Sequence, residues 1–343
     1  MITPILAVLT SAIPVPPAMD MVPDWIHFTG GMRLRLEDTM DQNAAGDDRV
    51  RGRMRVRLGA KFDISEELKA EVRLSTNSGS TANNPYMDFG GNSQSGDTLG
   101  GATVLFDRIN VTWMPADGTT LVAGKMANPL AKNPVFGEWM LDDDIQPNGV
   151  AGIWSPGGDF DMDMRLAYFV IDEVNSPGDT ADPAISIFQL NFGGETDSFD
   201  WDFNNAYWNY ANEGGADLGI WNSILSASMD DLTASFEYIQ NLNDDTGDDT
   251  GYAVGFKYGN GGNVGDSQFF GSYMDMDQNA TNFGVAQDDL PKGPAGTGVT
   301  GFIAGWKYWW MDNVTFRLWA LQADNDTDDP LRLRFDLDVK LTR

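Results

Sequence analysis

From Arg49 to Phe62 the chain alternates between two kinds of residue. Val50, Gly52, Met54, Val56, Leu58, Ala60 and Phe62 are apolar or small, and Arg49, Arg51, Arg53, Arg55, Arg57 and Lys61 are basic. Side chains of a strand point to opposite faces in turn, so one face here is apolar and the other is a ladder of cations. On a helix the same arginines would spread round the whole circumference and leave no apolar stripe. The last segment repeats the device: Leu331, Leu333, Phe335, Leu337, Val339 and Leu341 share one face, and Arg332, Arg334, Asp336, Asp338 and Lys340 the other. Similar alternation runs through 32–37, 68–77, 109–113, 160–166, 199–203, 232–238, 252–258 and 314–318. The pattern predicts an all-β chain.

The spacing of these segments narrows the class. About sixteen strands of roughly 8–13 residues can be placed, close to the length a tilted strand needs to cross a bilayer. The gaps alternate. Long ones fall at 38–48, 77–101, 127–147, 172–183, 211–217, 241–250, 275–298 and 323–330, and short ones at 63–67, 115–118, 155–158, 193–198, 230–231, 259–266 and 311–313. Turn chemistry at Pro115 to Gly118, Ser155 to Gly158 and Met311 to Asn313 suits the short gaps, as do the glycines of 259–265. Aromatics sit at many strand ends, where a membrane interface meets both apolar and polar media. A soluble sandwich has no reason to alternate long and short connections. A transmembrane, antiparallel, up-and-down β-barrel does, with long loops at one rim and tight turns at the other. The segments 106–107, 149–154 and 218–225 alternate poorly and are candidates for bulges.

Closure of such a sheet sets strand sixteen beside strand one, since open edges in lipid leave backbone groups unpaired. Arg332 and Arg334 then join Arg33, Arg35, Arg49, Arg51, Arg53, Arg55, Arg57, Lys61, Lys69 and Arg73 as one basic sector of the lumen wall, partly offset by Glu37, Glu71, Asp336 and Asp338. Inward-register apolar residues such as Ile171, Trp319 and Leu321 either lie above the membrane or line a patch of lumen.

Charge sharpens the geometry. The 343 residues hold 22 Lys and Arg against 51 Asp and Glu, a net charge of −29. The eight long gaps contain 28 of those acids and only two basic residues, Lys132 and Lys292. Almost all the excess charge therefore lies on one rim, which could bridge through divalent cations to lipopolysaccharide. Such acidity excludes nucleic acid as a partner. Zero Cys excludes a disulfide scaffold, a thiolate zinc site and cysteine catalysis. His27 is the only histidine, and no local signature places a nucleophile beside it, so no enzyme and no catalytic residue are expected. No resident cofactor is expected either, although Asp324, Asp326 and Asp328 place oxygens at alternate positions that could hold calcium. Residues 1–24, with an apolar stretch at 5–13 followed by Pro14, Pro16 and Pro17, read as a signal-peptide remnant or leader, and 25–343 as one barrel domain.

The third long gap carries Pro134, Val135, Phe136 and Gly137, then Glu138, Trp139 and the acid run Asp142, Asp143 and Asp144. In this position the segment resembles the constriction loop of sixteen-stranded bacterial outer-membrane porins. Residues 107–115 and 124–129 also resemble a porin family whose members differ widely in sequence. The resemblance covers the chain from about Trp25 onward. It implies that the loop of Pro134, Phe136, Gly137, Glu138, Asp142, Asp143 and Asp144 folds into the barrel and narrows it. It further implies outer-membrane localisation, a homotrimer among lipid and lipopolysaccharide, and passive diffusion of small hydrophilic solutes and ions. Arginines facing the loop's carboxylates would then set the ion preference, which leans towards anions because rim charges are screened beyond about 8–10 Å. Two alternatives stay open: a plugged barrel that anchors envelope partners, and a secreted, soluble β-sandwich binding protein.

Overall fold

The computed structural model describes residues 22–41, 48–77, 85–89, 103–157, 161–171, 182–211, 217–243, 247–282, 284–287, 289–290, 298–324 and 329–341. Sixteen strands form its wall. They are β1 (Ile26–Met40), β2 (Arg49–Asp63), β3 (Leu68–Asn77), β5 (Thr103–Ala116), β6 (Thr119–Lys125), β7 (Asn148–Trp154), β8 (Asp161–Val170) and β9 (Ala184–Glu195), then β10 (Asp200–Ala211), β11 (Leu218–Met229), β12 (Leu232–Asn241), β13 (Thr250–Tyr258), β14 (Ser267–Met276), β15 (Val299–Met311), β16 (Val314–Asp324) and β17 (Leu331–Lys340). Every wall strand pairs antiparallel with the next, and β17 pairs with β1 from Gly31↔Lys340 to Met40↔Leu331. The sheet therefore closes and has no free edge, which is what a spanning sheet requires in lipid. A further two-residue strand, β4 (Met87–Asp88), pairs with the part of β2 that β3 is too short to reach.

Alternation decides which side chain meets lipid. Leu36, Leu58, Val111, Leu166, Phe188, Leu225, Phe236, Val254, Phe302, Leu318 and Phe335 are exposed on the outer face. Tyr168, Tyr207, Trp221, Tyr252 and Tyr273 stand outside near the long-loop rim, and Trp25, Trp113, Trp154 and Tyr258 near the short-turn rim. Two aromatic belts flanking an apolar band match the two interfaces of a bilayer. A ten-residue strand tilted by 45° rises about 23 Å, close to the band such barrels present.

Strand boundaries lie within a few residues of those read from the alternation, and the long and short connections fall in the expected order. Of the three irregular segments, the first contains a bulge. Arg73 faces Arg108 while Leu74 faces Phe106, which leaves Asp107 as the extra residue. The other two, 149–154 and 218–225, pair without a register shift, so their weak patterning reflects composition and not geometry. Residues 1–21, Gly90, Gly91 and Gly158 lie outside the described residues, as do Asp326 and Asp328; Asp324 ends β16.

The interior is divided into two sectors. Strands β17, β1, β2, β3 and β5 line one with arginines and carboxylates. On β8 to β16, the inward positions towards the long-loop rim carry Phe169, Ile185, Ile187, Trp208, Tyr210, Ile220, Ile239, Met274, Ile303, Trp319 and Leu321, all buried. These side chains pack in one cluster with Met126, Leu130, Phe136, Trp139, Met140 and Leu141 of the connection between β6 and β7. The barrel thus holds a hydrophobic core inside its own lumen. Trp319 and Leu321 belong to that core, whereas Ile171 lies exposed at the rim.

Candidate functional site

The connection 126–147 leaves the wall where β6 ends after only seven residues. Gly124, two residues before the departure, holds φ +114, and a Cβ there would lie 2.3 Å from the Ile109 carbonyl oxygen. Only glycine accepts that backbone turn. The segment then runs along the inner circumference, tied at each step. The Arg165 guanidinium donates to the Pro129 carbonyl at 2.9 Å. The Gln189 amide exchanges two bonds with the Ala131 backbone, at 2.8 and 2.9 Å, as a strand partner would. Asn133 donates to one oxygen of the buried Glu237 carboxyl at 3.0 Å, and Asn222 to the other at 2.8 Å. Gly255 gives Val135 room, since a Cβ there would lie 2.9 Å from the valine methyl.

Phe136 is buried edge-on against Trp139, with centroids 5.7 Å apart, and Tyr210 donates to the Met140 carbonyl at 3.3 Å. Gly137 packs against Lys132 and the Asn133 carbonyl, while Pro134 is exposed. Two backbone bonds tie the segment to the connection between β14 and β15. Asp142 donates to the Val285 carbonyl at 2.9 Å and Gln287 to the Glu138 carbonyl at 2.8 Å.

The acidic end crosses to the arginine sector. Asp144 accepts from Arg55 at 2.8 Å and from Arg57 at 3.2 Å, and Asp143 is bonded by Lys132. Within the sector, cations and acids are interleaved. Arg33 binds Asp338 at 2.6 Å and the Tyr86 hydroxyl at 2.8 Å, and Arg35 binds Asp336 at 2.7 and 3.1 Å. Glu37 is held by Arg51 and by Arg334, the latter at 2.6 Å. Arg73 bonds Asp107, whose other neighbour is Arg57 at 3.3 Å. Arg332 reaches Thr39 at 3.1 Å and the Asp289 carbonyl, and Arg334 the Asp289 carboxylate. Arg53 lies 3.6 Å from Asp88.

Between the segment and the wall lies a polar cavity of about 380 Å³. Its cations are Arg33, Arg35, Arg55, Arg57, Arg108, Lys132 and Arg317, and its acids Glu138, Asp142, Asp143, Asp144 and Asp289. Burial, together with the charges of Asp289, Asp142, Asp143 and Asp144, raises the Glu138 carboxyl well above its ordinary range. Burial acts the same way on Asp289, but Arg334 and Arg35 outweigh it and hold that carboxyl low. Seven cations therefore face five acids, one of which, Glu138, is pushed towards its neutral form. Towards the short turns a second cavity of about 380 Å³ opens beneath the segment, beside Asp161, Asp163, Arg165 and Asp202.

Four of the twelve expected wall residues, Arg33, Arg35, Arg55 and Arg57, line the first cavity. Arg51, Arg53, Arg332 and Arg334 lie nearer the long-loop rim, and Arg49 is exposed at the outer end of β2. Lys61 and Lys69 are exposed near the opposite end, where Lys69 lies 3.4 Å from Asp63 and His27 is bonded to Asp63 at 2.8 Å. The sequence pattern missed Arg108, Arg317, Asp289 and above all Tyr86. Tyr86 is buried beneath Arg35, Arg53 and Arg55, whose guanidinium carbons lie 4.6, 4.5 and 5.3 Å from its ring centroid. It sits in a long connection with no periodicity; Arg108 follows the bulge, which breaks the alternation that would have flagged it. Among the described residues no group of three or more His, Cys, Asp or Glu could hold a metal ion.

Residues 36–171 match a family described as Putative porin. No curated protein matches the chain by sequence. Its fold is shared with solved porins. The high-pH structure of Pseudomonas putida OprB superposes with a TM-score of 0.63 at 10% identity, over 92% of this chain and 94% of that one. Salmonella typhi OmpF, in a complex with daunomycin, gives 0.55 at 10% identity over 91% and 97%. A triple mutant of the Rhodopseudomonas blastica porin gives 0.54 at 13% identity over 91% and 99%.

Proposed function

We propose that this chain, a bacterial outer-membrane β-barrel of the porin fold, is a water-filled channel through which small hydrophilic solutes and ions diffuse, with anions favoured at its narrowest point. The observation that carries the reading is the polar cavity between the arginine wall and the acidic end of the 126–147 segment. A solute crossing there leaves bulk water for a site where fixed charges of opposite sign face each other. Such a transverse field aligns dipolar solutes and disfavours apolar ones, which gain nothing from it and displace water that does. Arginine suits this wall because it stays protonated and its planar fork can pass a carboxylate from one guanidinium to the next. The surplus of cations over ionised carboxylates at the constriction supports the anion preference. The acidic rim lies farther off and acts through salt-screened distances.

A trimer embedded in lipid and lipopolysaccharide completes the proposal, since the acidic long loops suit divalent-cation bridges to phosphate-bearing lipid. A plugged structural barrel is the competing reading, supported by the direct bonds from Arg55 and Arg57 to Asp144 that close part of the lumen. Planar-bilayer recording of the detergent-purified protein separates the two. Discrete conductance steps are expected of the channel, and a folded, inserted protein without steps would be the plugged barrel.

A further inference from the structure

Lys307 of β15 and Arg317 of β16 face each other directly across the sheet, both pointing inward. Cross-strand partners hold their Cβ atoms roughly 4.5–5.5 Å apart, and like charges so placed destabilise the pair. The carboxylates on the adjoining strands are already engaged by other arginines. Asp336, which faces Arg317 from β17, is taken by Arg35 at 2.7 Å, and Asp338 by Arg33 at 2.6 Å. Among the described residues neither Lys307 nor Arg317 has a hydrogen-bond or ion-pair partner, and the Arg317 Nε is buried without one. Each cation instead lies on an indole. The Lys307 Nζ is 4.4 Å from the Trp309 ring centroid and the Arg317 guanidinium carbon 4.5 Å from that of Trp319. Trp319 is itself fixed by Phe270, edge-on at 5.3 Å. Cation–π contact of this kind favours one placement of each cationic head. Arg317 borders the constriction cavity; Lys307 lies one strand over.

We propose that Lys307 and Arg317 form an anion-binding subsite for a solute bearing an oxyanion, carboxylate or phosphate, at the short-turn side of the constriction. Two neighbouring cations whose nearest carboxylates, Asp336 and Asp338, are already bonded to Arg35 and Arg33 supply the donors such a group accepts, and binding it eases their mutual repulsion. The inference deepens the channel reading and rests on it for its physiological sense, yet the site itself can be tested without current flow.

Inorganic phosphate, followed by 31P resonance, and succinate, by calorimetry, would each be titrated into the detergent-solubilised full chain. Saturable binding of either at one per chain is expected. K307Q/R317Q should weaken it by about tenfold or more, whereas R317K, which keeps the charge, should stay within a few-fold of the parent. K307Q alone, at a residue the fold does not bond, should weaken it about threefold and serves if the double variant fails to fold. Absence of saturable binding of both anions, or equal binding by parent and charge-removed variants, overturns the subsite. Loss of conductance steps would instead count against the channel, so the two failures read out separately.

Discussion

At the residue scale the constriction is governed by how each charge is satisfied. Glu138 differs from its neighbours: burial and four nearby carboxylates favour its neutral form. A carboxyl whose pKa is raised in the folded protein contributes stability fully present below its ordinary range, and loses it as pH rises through the raised value. Seating of the 126–147 segment should therefore be firmest in acid. Ionisation on raising the pH adds a negative charge to the cavity, so the anion-over-cation permeability ratio should fall across that titration. Reversal potentials recorded from pH 4 to pH 9 check this, and E138Q should flatten the profile. Arg55 and Arg57 act with the opposite sign. R55Q/R57Q removes both partners of Asp144 and should lower the anion-over-cation ratio by about threefold or more in the same assay.

At the element scale the inserted segment is held by an apolar core and a few directed hydrogen bonds. Phe136→Ala removes a buried ring from that core and should cost about 3 kcal/mol of segment seating. The expected signature is a larger and noisier single-channel conductance with the heat stability of the barrel little changed. Gly255→Val leaves the segment's own sequence unchanged but displaces it, because the new side chain would occupy the space of Val135. It should produce the same noisy conductance.

Alternation located the strands because a side chain's face follows from its parity, and even the bulge at Asp107 interrupts the pattern visibly. The loop's identity was legible from Phe136, Gly137 and its acids in the third long gap. Its anchorage was not. Gln189, Asn222 and Glu237 look like ordinary polar lumen positions until a loop is packed on them. The apolar interior of β8 to β16 was equally hidden, because period two tells which face a residue takes and not what fills the space in front of it. Tyr86 has no period at all. Its place among the arginines depends on where β3 ends and how the chain returns beside β2.

At the scale of the whole molecule the barrel joins three environments. Its outer band matches lipid, its rim concentrates acids, and its lumen separates an arginine wall from a packed apolar half. Phe335 stands on the outer face at mid-strand of β17, stacked with Phe316 at 5.7 Å, next to the seam that closes the sheet. Phe335→Arg should destabilise the folded barrel by about 2–4 kcal/mol, the cost of a cation in the middle of the lipid face. Urea unfolding in lipid vesicles measures it, and Val50→Arg, at the exposed rim end of β2 where water reaches the side chain, sets the contrast with little loss. The seam also explains why the basic sector is continuous: Arg332 and Arg334 are last in the chain but neighbours of Glu37 in space.

Single-channel recording of the purified protein across a potassium chloride gradient tests whether the lumen is open and prefers anions. Discrete steps are expected, with a reversal potential displaced towards that of chloride. A protein shown to be folded and inserted that gives no steps, or steps with a reversal potential near that of potassium, would contradict an open, anion-preferring lumen.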